Sequence, residues 1–478
     1  MIKNPDSTNT TFQGKKSYGW VFWLWLVSLF LLALIVTVLV TAWSVRHELE
    51  GGSRFSETQS RMVIALADFP ALVRTSVQQL GSWFTGDPLP LLINRKTTEQ
   101  PNWLRQFPAP EDSGYLLFFG VDPAAKRADV QLIKISDGTV VARWQPDWFA
   151  IMAQTSPKKF IPAASPYTLL AIHPLLLADG DIIFNHTVGS LVRMSTCSSK
   201  PIWLLDEVMH HSNELDETGS AMWLPSISQD GYADYPLYQK RVRDDALAHV
   251  SIDGRLLERR SFARILRENG LQTILMGTAG FVINEDPIHL NEIKVARQDS
   301  RYWKRGDLLI SARHLSTLFL YRPSTDKIIW HKTGPWMNQH SVDFVDDHRI
   351  SLFNNNVIGG PATTRESTFI QSSDINQVMV YDFDSKQISQ PFAALLDAAK
   401  PVTVTAGRAR ILPDGGLFLE ENNFGRLLRF TKDRLLWAFV NDYDDKRIGV
   451  LGWSRYLTAE EASIPLRALE KVKSGLQK

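Results

Sequence analysis

From Gly114 onward this chain of 478 residues is built of short apolar strands separated by Asp-Gly, Pro-Ser and Asn-Asn turns, and the pattern returns six times. The stretches GYLLFFG…DVQLIKISDGTVVARW, YTLLAIHPLLLADGDIIFNHTVGSLVRM, GSAMWLP…ALAHVSIDGRLLERRSF, GDLLISARHLSTLFLYRPSTDKIIWHK, QHSVDFVDDHRISLFNNN…NQVMVYDF and GRARILPDGGLFLEENNFGRLLRFTKDRLLWAFV carry it. Each repeat has a strand, a turn, a second strand, a small polar break, a third strand and a fourth that often ends in tryptophan, as at Trp144, Trp203, Trp330 and Trp437. A unit of this size has no inside of its own and becomes stable only by stacking on its neighbours. Four strands per repeat, six times over, predict an all-β protein, a six-bladed β-propeller over residues 114–455.

Ahead of it, residues 18–43 run from Tyr18 to Trp43 without a charge. At about 1.5 Å per residue that is enough to cross a hydrocarbon core, and it exceeds the apolar stretch of a cleaved signal peptide. Trp20, Trp23, Trp25 and Trp43 suit the two interfaces. Lys15 and Lys16 precede the run while Arg46 follows beside Glu48 and Glu50, which makes residues 1–17 a cytoplasmic tail. The expectation is a single-pass inner-membrane protein with its propeller on the periplasmic or extracellular side. Residues 44–113 read as a helical stalk or packing segment, 262–286 as a helical insertion and 456–478 as a C-terminal tail. The 52 Lys and Arg nearly cancel the 51 Asp and Glu, so no global field recruits nucleic acid. Cys197 is the only cysteine, which excludes an internal disulfide and a cysteine-built metal site.

His173, His211, His289 and His340 each open a repeat. Equivalent positions in a radial fold point at one axis, so these imidazoles are expected to converge. His211 and His289 share an H-x-N pattern with Asn213 and Asn291, whose side chains return to the same strand face. His210 directly precedes His211, and either of the two can face the channel. Arg313 follows the apolar strand DLLISA, where a buried cation needs an anionic partner, and a ligand oxyanion suits a guanidinium bidentately. Neutral imidazoles, a carboxamide and an arginine point to nucleophilic catalysis on an oxyanion ester. No P-loop, G-x-G-x-x-G or G-x-S-x-G elbow occurs, so no nucleotide or other cofactor is expected. Two other classes stay open: a non-catalytic propeller that binds a partner protein or glycan, and a metal site, against which stand Arg313 and a missing carboxylate ligand.

The segments DPIHLNE, GDLLISARHLSTLFLYRPSTDKIIWHKTG and WMNQHSVDFVDDHRISLFNNN resemble the bacterial arylsulfotransferases, and HHSNELDETG is similar to that family's His-His-Asp segment. The likeness spans roughly residues 160 to 440. It implies transfer of a sulfuryl group from an aryl sulfate to a phenolic or other hydroxyl acceptor, by a ping-pong route through a sulfohistidine and without a nucleotide sulfate donor. Matched position by position, the resemblance makes His340 the nucleophile, His289 and Asn291 the H-x-N pair, Arg313 the sulfate-binding arginine and His211 the earlier histidine. Substrate binding is assigned to His210, Asn213, Asn354 and His173, with no metal, and a homodimer is among the expected assemblies. Two departures stand out: the family's F-D-N element is Phe353-Asn354-Asn355 here, and its acidic residue after the His-His pair is Ser212.

Overall fold

The computed structural model describes residues 19–49, 76–94, 107–156, 166–167, 169–186, 189–228, 231–234, 242–277, 284–359, 369–371 and 375–476, with a few positions between 59 and 73. The chain divides into two units, Met1–Arg74 and Thr75–Lys478. In the first, a helix runs over Gly19–Leu49, past the expected end at residue 43. Its segment Phe22–Arg46, 25 residues with a mean hydropathy of 2.7, is long and apolar enough to cross a membrane.

The second unit is an all-β, propeller-like arrangement of antiparallel sheets. Sheet A is made of Tyr115–Asp122, Arg127–Lys134 and Val140–Trp144, with Arg455–Leu457 on its inner edge. Sheet B runs from Ala171–Leu176 through to Leu256–Ser261 and holds eight strands. Its two halves meet through one register pair, Ser226 with Met209. Sheet C comprises Leu290–Val295, Leu308–Ala312, Thr317–Arg322 and Lys327–Thr333. Sheet D begins with His340–Phe344 and Arg349–Asn354, and sheet E spans Arg408–Ile411 to Leu435–Val440.

Sheet C shows why the strands are near-continuous apolar runs rather than alternating ones. Leu308, Ile310 and Ala312 pack with Leu247 of sheet B, while Leu309 packs with Val342 and Leu352 of sheet D. Successive side chains point to opposite faces, and here both faces are covered. Only the outer strand Lys327–Thr333 alternates between exposed and half-buried positions. Trp144 and Trp437 are fully buried in fourth strands, but Trp203 begins its strand and Trp330 sits mid-strand, so tryptophan does not mark a common strand end.

Two sequence expectations change. The 456–478 tail is structured: Arg455–Leu457 closes sheet A by pairing with Tyr115–Leu117, and Ala459–Leu476 is a helix that buries Ala462 and Leu469. Sheet A has only three strands of its own near the N-terminal end, and its open inner edge is satisfied by late chain. The 44–113 stalk is helical over residues 76–85 but then forms the strand Leu92–Asn94, which pairs with Arg447–Gly449. The insertion does form helices, Phe262–Glu268 and Gln272–Met276, the first capped by Ser261 Oγ accepting from the Arg264 amide.

Serine hydroxyls tie neighbouring sheets near the axis. Ser212 Oγ accepts from the Ile293 amide at 2.9 Å, which is what the serine does where the family carries an acid. Ser341 Oγ accepts from the Ala409 amide at 3.1 Å and donates to its carbonyl at 3.0 Å. Replacing Ser341 with alanine leaves both buried groups unsatisfied and should cost about 1–3 kcal/mol, read as a lower urea midpoint with unchanged m-value.

Candidate active site

The repeat-opening histidines sit on strained backbone. His173, His211 and His289 have φ of 47°, 57° and 54°, and Ser341, next to His340, has φ of 48°. A non-glycine residue in the left-handed region costs roughly 1–2 kcal/mol, and such strain gathers at functional sites. Three of the inner strands also bulge there, between Ile172 and Leu175, Leu290 and Glu292, and His340 and Asp343. A bulge re-aims side chains at the end of a strand.

What these distortions bring together is a cluster of imidazoles. The His211 and His289 rings lie 5.0 Å apart, and His289 and His314 lie 4.3 Å apart. Arg313 Nη1 is 2.7 Å from His314 Nε2. His340 stands beside Arg313, is 1% exposed, and its Nδ1 is 2.6 Å from Asn355 Oδ1. Asn355 Nδ2 donates to the carbonyls of Thr403 and Ala406 at 3.0 and 2.6 Å, which fixes the amide so that its oxygen faces the ring. His340 Nδ1 is therefore the N–H donor. Its buried Nε2, which has no hydrogen-bond partner among the described residues, carries the lone pair.

The same logic orders the other rings. His289 Nδ1 is 2.5 Å from Asp286 Oδ2, and a carboxylate only accepts, so His289 Nε2 also carries a lone pair. Arg243 Nη2 lies 2.9 Å from His210 Nε2, which is also 3.2 Å from the Ser226 carbonyl, and His210 Nδ1 lies 2.8 Å from His211 Nδ1. His210 is 1% exposed and backed by Asp245, whereas His211 faces His289 and Trp453, so His211 is the member that looks into the cluster. Asp245 also accepts from the Leu290 amide at 2.6 Å and so anchors the start of the His289 strand.

Burial, reinforced by cations, keeps the imidazoles neutral. His340 is pushed down to about 3 by burial and by Arg313. His211 is held well below the usual histidine value by burial and by His210, His289 and Arg243. His289 is also well below it, through burial and then His314, Arg243 and Arg313. Burial lowers Arg313 to about 10, so it remains a cation near neutral pH. A neutral, dry imidazole beside a guanidinium is a nucleophile next to an anion binder.

A family model described as "Arylsulfotransferase (ASST)" matches residues 173–441, more than half of the chain. The chain belongs to the arylsulfotransferase family. No curated protein matches it by sequence. Among solved structures, a protein of unknown function from Bacteroides caccae is similar at 10% identity and a TM-score of 0.40, covering 72% of this chain and 99% of its own. The Neurospora crassa Pan2 WD40 domain is similar at 9% identity and a TM-score of 0.36, covering 72% of this chain and 83% of its own.

Within this arylsulfotransferase cluster, His211, His289, Arg313 and His340 come together. Asn291 is beside them, its Nδ2 donating to the Gln339 carbonyl at 2.7 Å, so it holds the backbone in front of His340. Three other expected binding residues are committed elsewhere. Asn213 Nδ2 donates to the Ile172 and His173 carbonyls, and Asn354 Oδ1 accepts from the Met337 and Asn356 amides. His173 is fully buried, stacked on Trp453 with ring centroids 4.9 Å apart, and bonded through Nδ1 to Arg408. Sequence reasoning missed Asn355, Asp286, His314, Arg243 and Asp245. Asn355 and Asp286 were in plain view in the FNN and DPIHLNE segments, but no repeat register singled them out. Asp286 also removes one argument against a metal: its carboxylate, His289 and His314 offer ligand atoms within 4.8 Å of one another.

Proposed function

We propose that this member of the arylsulfotransferase family moves a sulfuryl group from an aryl sulfate to a phenolic or other hydroxyl acceptor by a ping-pong route through a sulfated His340. The observation that carries the reading is the Asn355 amide, which pins the His340 tautomer and leaves Nε2 as a buried lone pair beside Arg313. In the first half-reaction Nε2 attacks sulfur, the N–S bond forms as the S–O bond breaks, and the phenolate leaves with that electron pair to be protonated by solvent. In the second, the acceptor oxygen attacks sulfur, the N–S bond breaks, and the acceptor proton passes to His289 Nε2. Asp286 steadies the imidazolium that results. Arg313 holds the sulfuryl oxygens as charge moves across them, with the His211 ring beside them.

The sheets support a six-bladed count: sheets A, C, D and E are one blade each, and sheet B is two blades sharing the Ser226–Met209 contact. The apolar helix Gly19–Leu49 would anchor the enzyme in the inner membrane, with the propeller outside the cytoplasm.

Incubation with an aryl sulfate should add one sulfuryl mass to the intact protein, acid-labile and mapping to the His340 peptide. Absence of any labile adduct on folded protein, with several aryl sulfates tried, sinks the reading. The Asp286, His289 and His314 group favours a second reading, a catalytic divalent cation, although Arg313 and Arg243 oppose its charge. Stoichiometric metal in purified protein, with activity lost on chelation, would support that reading instead.

A further inference from the structure

A cavity in the propeller-like unit is separate from the histidine cluster. It has a volume of about 370 Å³ and is lined by Glu214, Lys294, Arg297, Arg408, Arg410 and Arg455, with Trp303, Phe344 and Tyr456 on its walls. None of the clustered histidines borders it. His289 stands just before the start of the inner strand Leu290–Val295 and Lys294 near its end, so the cavity lies about 17 Å further along the channel at roughly 3.3 Å per residue.

Its lining holds five cations, Lys294, Arg297, Arg408, Arg410 and Arg455, against four carboxylates, Glu214, Asp343, Asp346 and Glu461, and the two most buried of these charges, Arg408 and Arg455, are cations. Arg408 is 5% exposed, and among the described residues it makes no ion pair within 4.0 Å. Its one hydrogen bond is to Nδ1 of His173, at 3.2 Å, and burial together with Arg408 and Arg455 holds that imidazole neutral. Arg455, 9% exposed, spends two donors on the Pro174 and Asn213 carbonyls and reaches Glu214 only at 3.7 Å. Glu214 is already shared with Lys294 at 3.1 Å and Arg297 at 3.2 Å. Three cations, Lys294, Arg297 and Arg455, thus lean on the Glu214 carboxylate. Two further carboxyls feel Arg408, those of Glu292 and Glu420, and burial pushes each up to about 7. Nearer the rim the charges pair off, Arg410 with Glu461 at 2.6 Å and Asp346 with Arg349 at 2.6 Å.

A desolvated guanidinium without a counterion is costly, and guanidinium geometry matches tetrahedral oxyanions bidentately. The cavity is also much larger than a bare oxyanion would fill, and Trp303, Phe344 and Tyr456 share its lining. We propose that this cavity is a second ligand site, distinct from the sulfuryl-transfer site, which takes the sulfate or phosphate group of a small molecule between Arg408 and Arg455.

The test is calorimetric titration of the full chain in detergent, carried out in an Arg313→Ala background so that the histidine cluster does not compete. Inorganic sulfate, inorganic phosphate and glucose 6-sulfate are the probes. Saturable binding of one equivalent is expected, weakened about tenfold or more by Arg408→Gln and about threefold by Arg297→Gln at the half-exposed rim. Tighter binding of the sugar sulfate marks the attached group as part of the ligand, and equal binding marks the free ion; both support the site. No saturable binding of any probe overturns the proposal, as does binding that neither arginine substitution changes. Circular dichroism separates lost affinity from lost fold, and the rim variant tests the site should Arg408→Gln not fold. Since no step requires a sulfohistidine, a missing His340 adduct leaves this measurement standing.

Discussion

The His340→Ala variant is expected to lose sulfuryl loading by about 10⁴-fold or more, because removal of a nucleophile leaves only the binding groups around the sulfate. The stronger prediction concerns its neighbour. Asn355→Leu keeps the side-chain volume but removes the oxygen that holds His340 Nδ1–H. The imidazole is then free to place its proton on Nε2, where it blocks attack. A misassigned tautomer costs orders of magnitude even when geometry survives, so loading in single-turnover mass measurements should fall about 10²-fold or more. KM for the aryl sulfate should change little, since Asn355 reaches the substrate only through His340. A large rise in KM with unchanged loading rate would show that Asn355 is a binding residue rather than a positioning one.

Acidification should unfold the propeller-like unit earlier than an ordinary protein of this composition. His173, His210, His211, His289, His314 and His340 are all lowered, each by burial first. In the unfolded chain they take up protons below about pH 6.5, whereas in the folded chain they do not. Protons bound by the unfolded state then exceed those bound by the native one, so stability rises with pH. It is complete above about 6.5 and is lost as pH falls, for His340 down to about 3. Each such group contributes up to about 1.4 kcal/mol per pH unit, so guanidinium midpoints should drop steeply between pH 6.5 and 5. Loading chemistry should show no inflection at 6.5, because the folded nucleophile stays neutral. A flat stability profile over that interval would mean that the histidines are solvated and already charged.

Much of this protein was legible before its structure, and the reasons are local. Strand periodicity and turn chemistry announce themselves over a few residues, so the propeller-like architecture and the uncharged N-terminal run could be read directly. The catalytic candidates were legible because repeats place similar residues near one axis: His211 and His289 share a register, and His340 falls one residue from it, with Ser341 at the left-handed position. Asn213, matched with Asn291 by the H-x-N pattern, and Asn354, in the FNN segment, were expected to bind substrate. Their amides are instead consumed by backbone carbonyls and amides of adjoining strands, a commitment that depends on where the neighbouring chain lies.

The repeat, the apolar helix and, through its motifs, the family were written in contiguous sequence, which also put forward His211, His289, Arg313 and His340 but not their neighbour His314. Each of those is carried by contiguous residues or by a fixed period. The folded chain was needed to show which nitrogens of His289 and His340 are bonded, that Arg455–Leu457 closes the first sheet, and that Asp286 and Asn355 stand behind those two rings. It also revealed Arg408 and Arg455, far apart in the chain from Glu214, crowded into one cavity with it. The difference is physical: a strand's periodicity is written by its own side chains, whereas a proton's position and a charge's partner depend on atoms that folding brings from elsewhere.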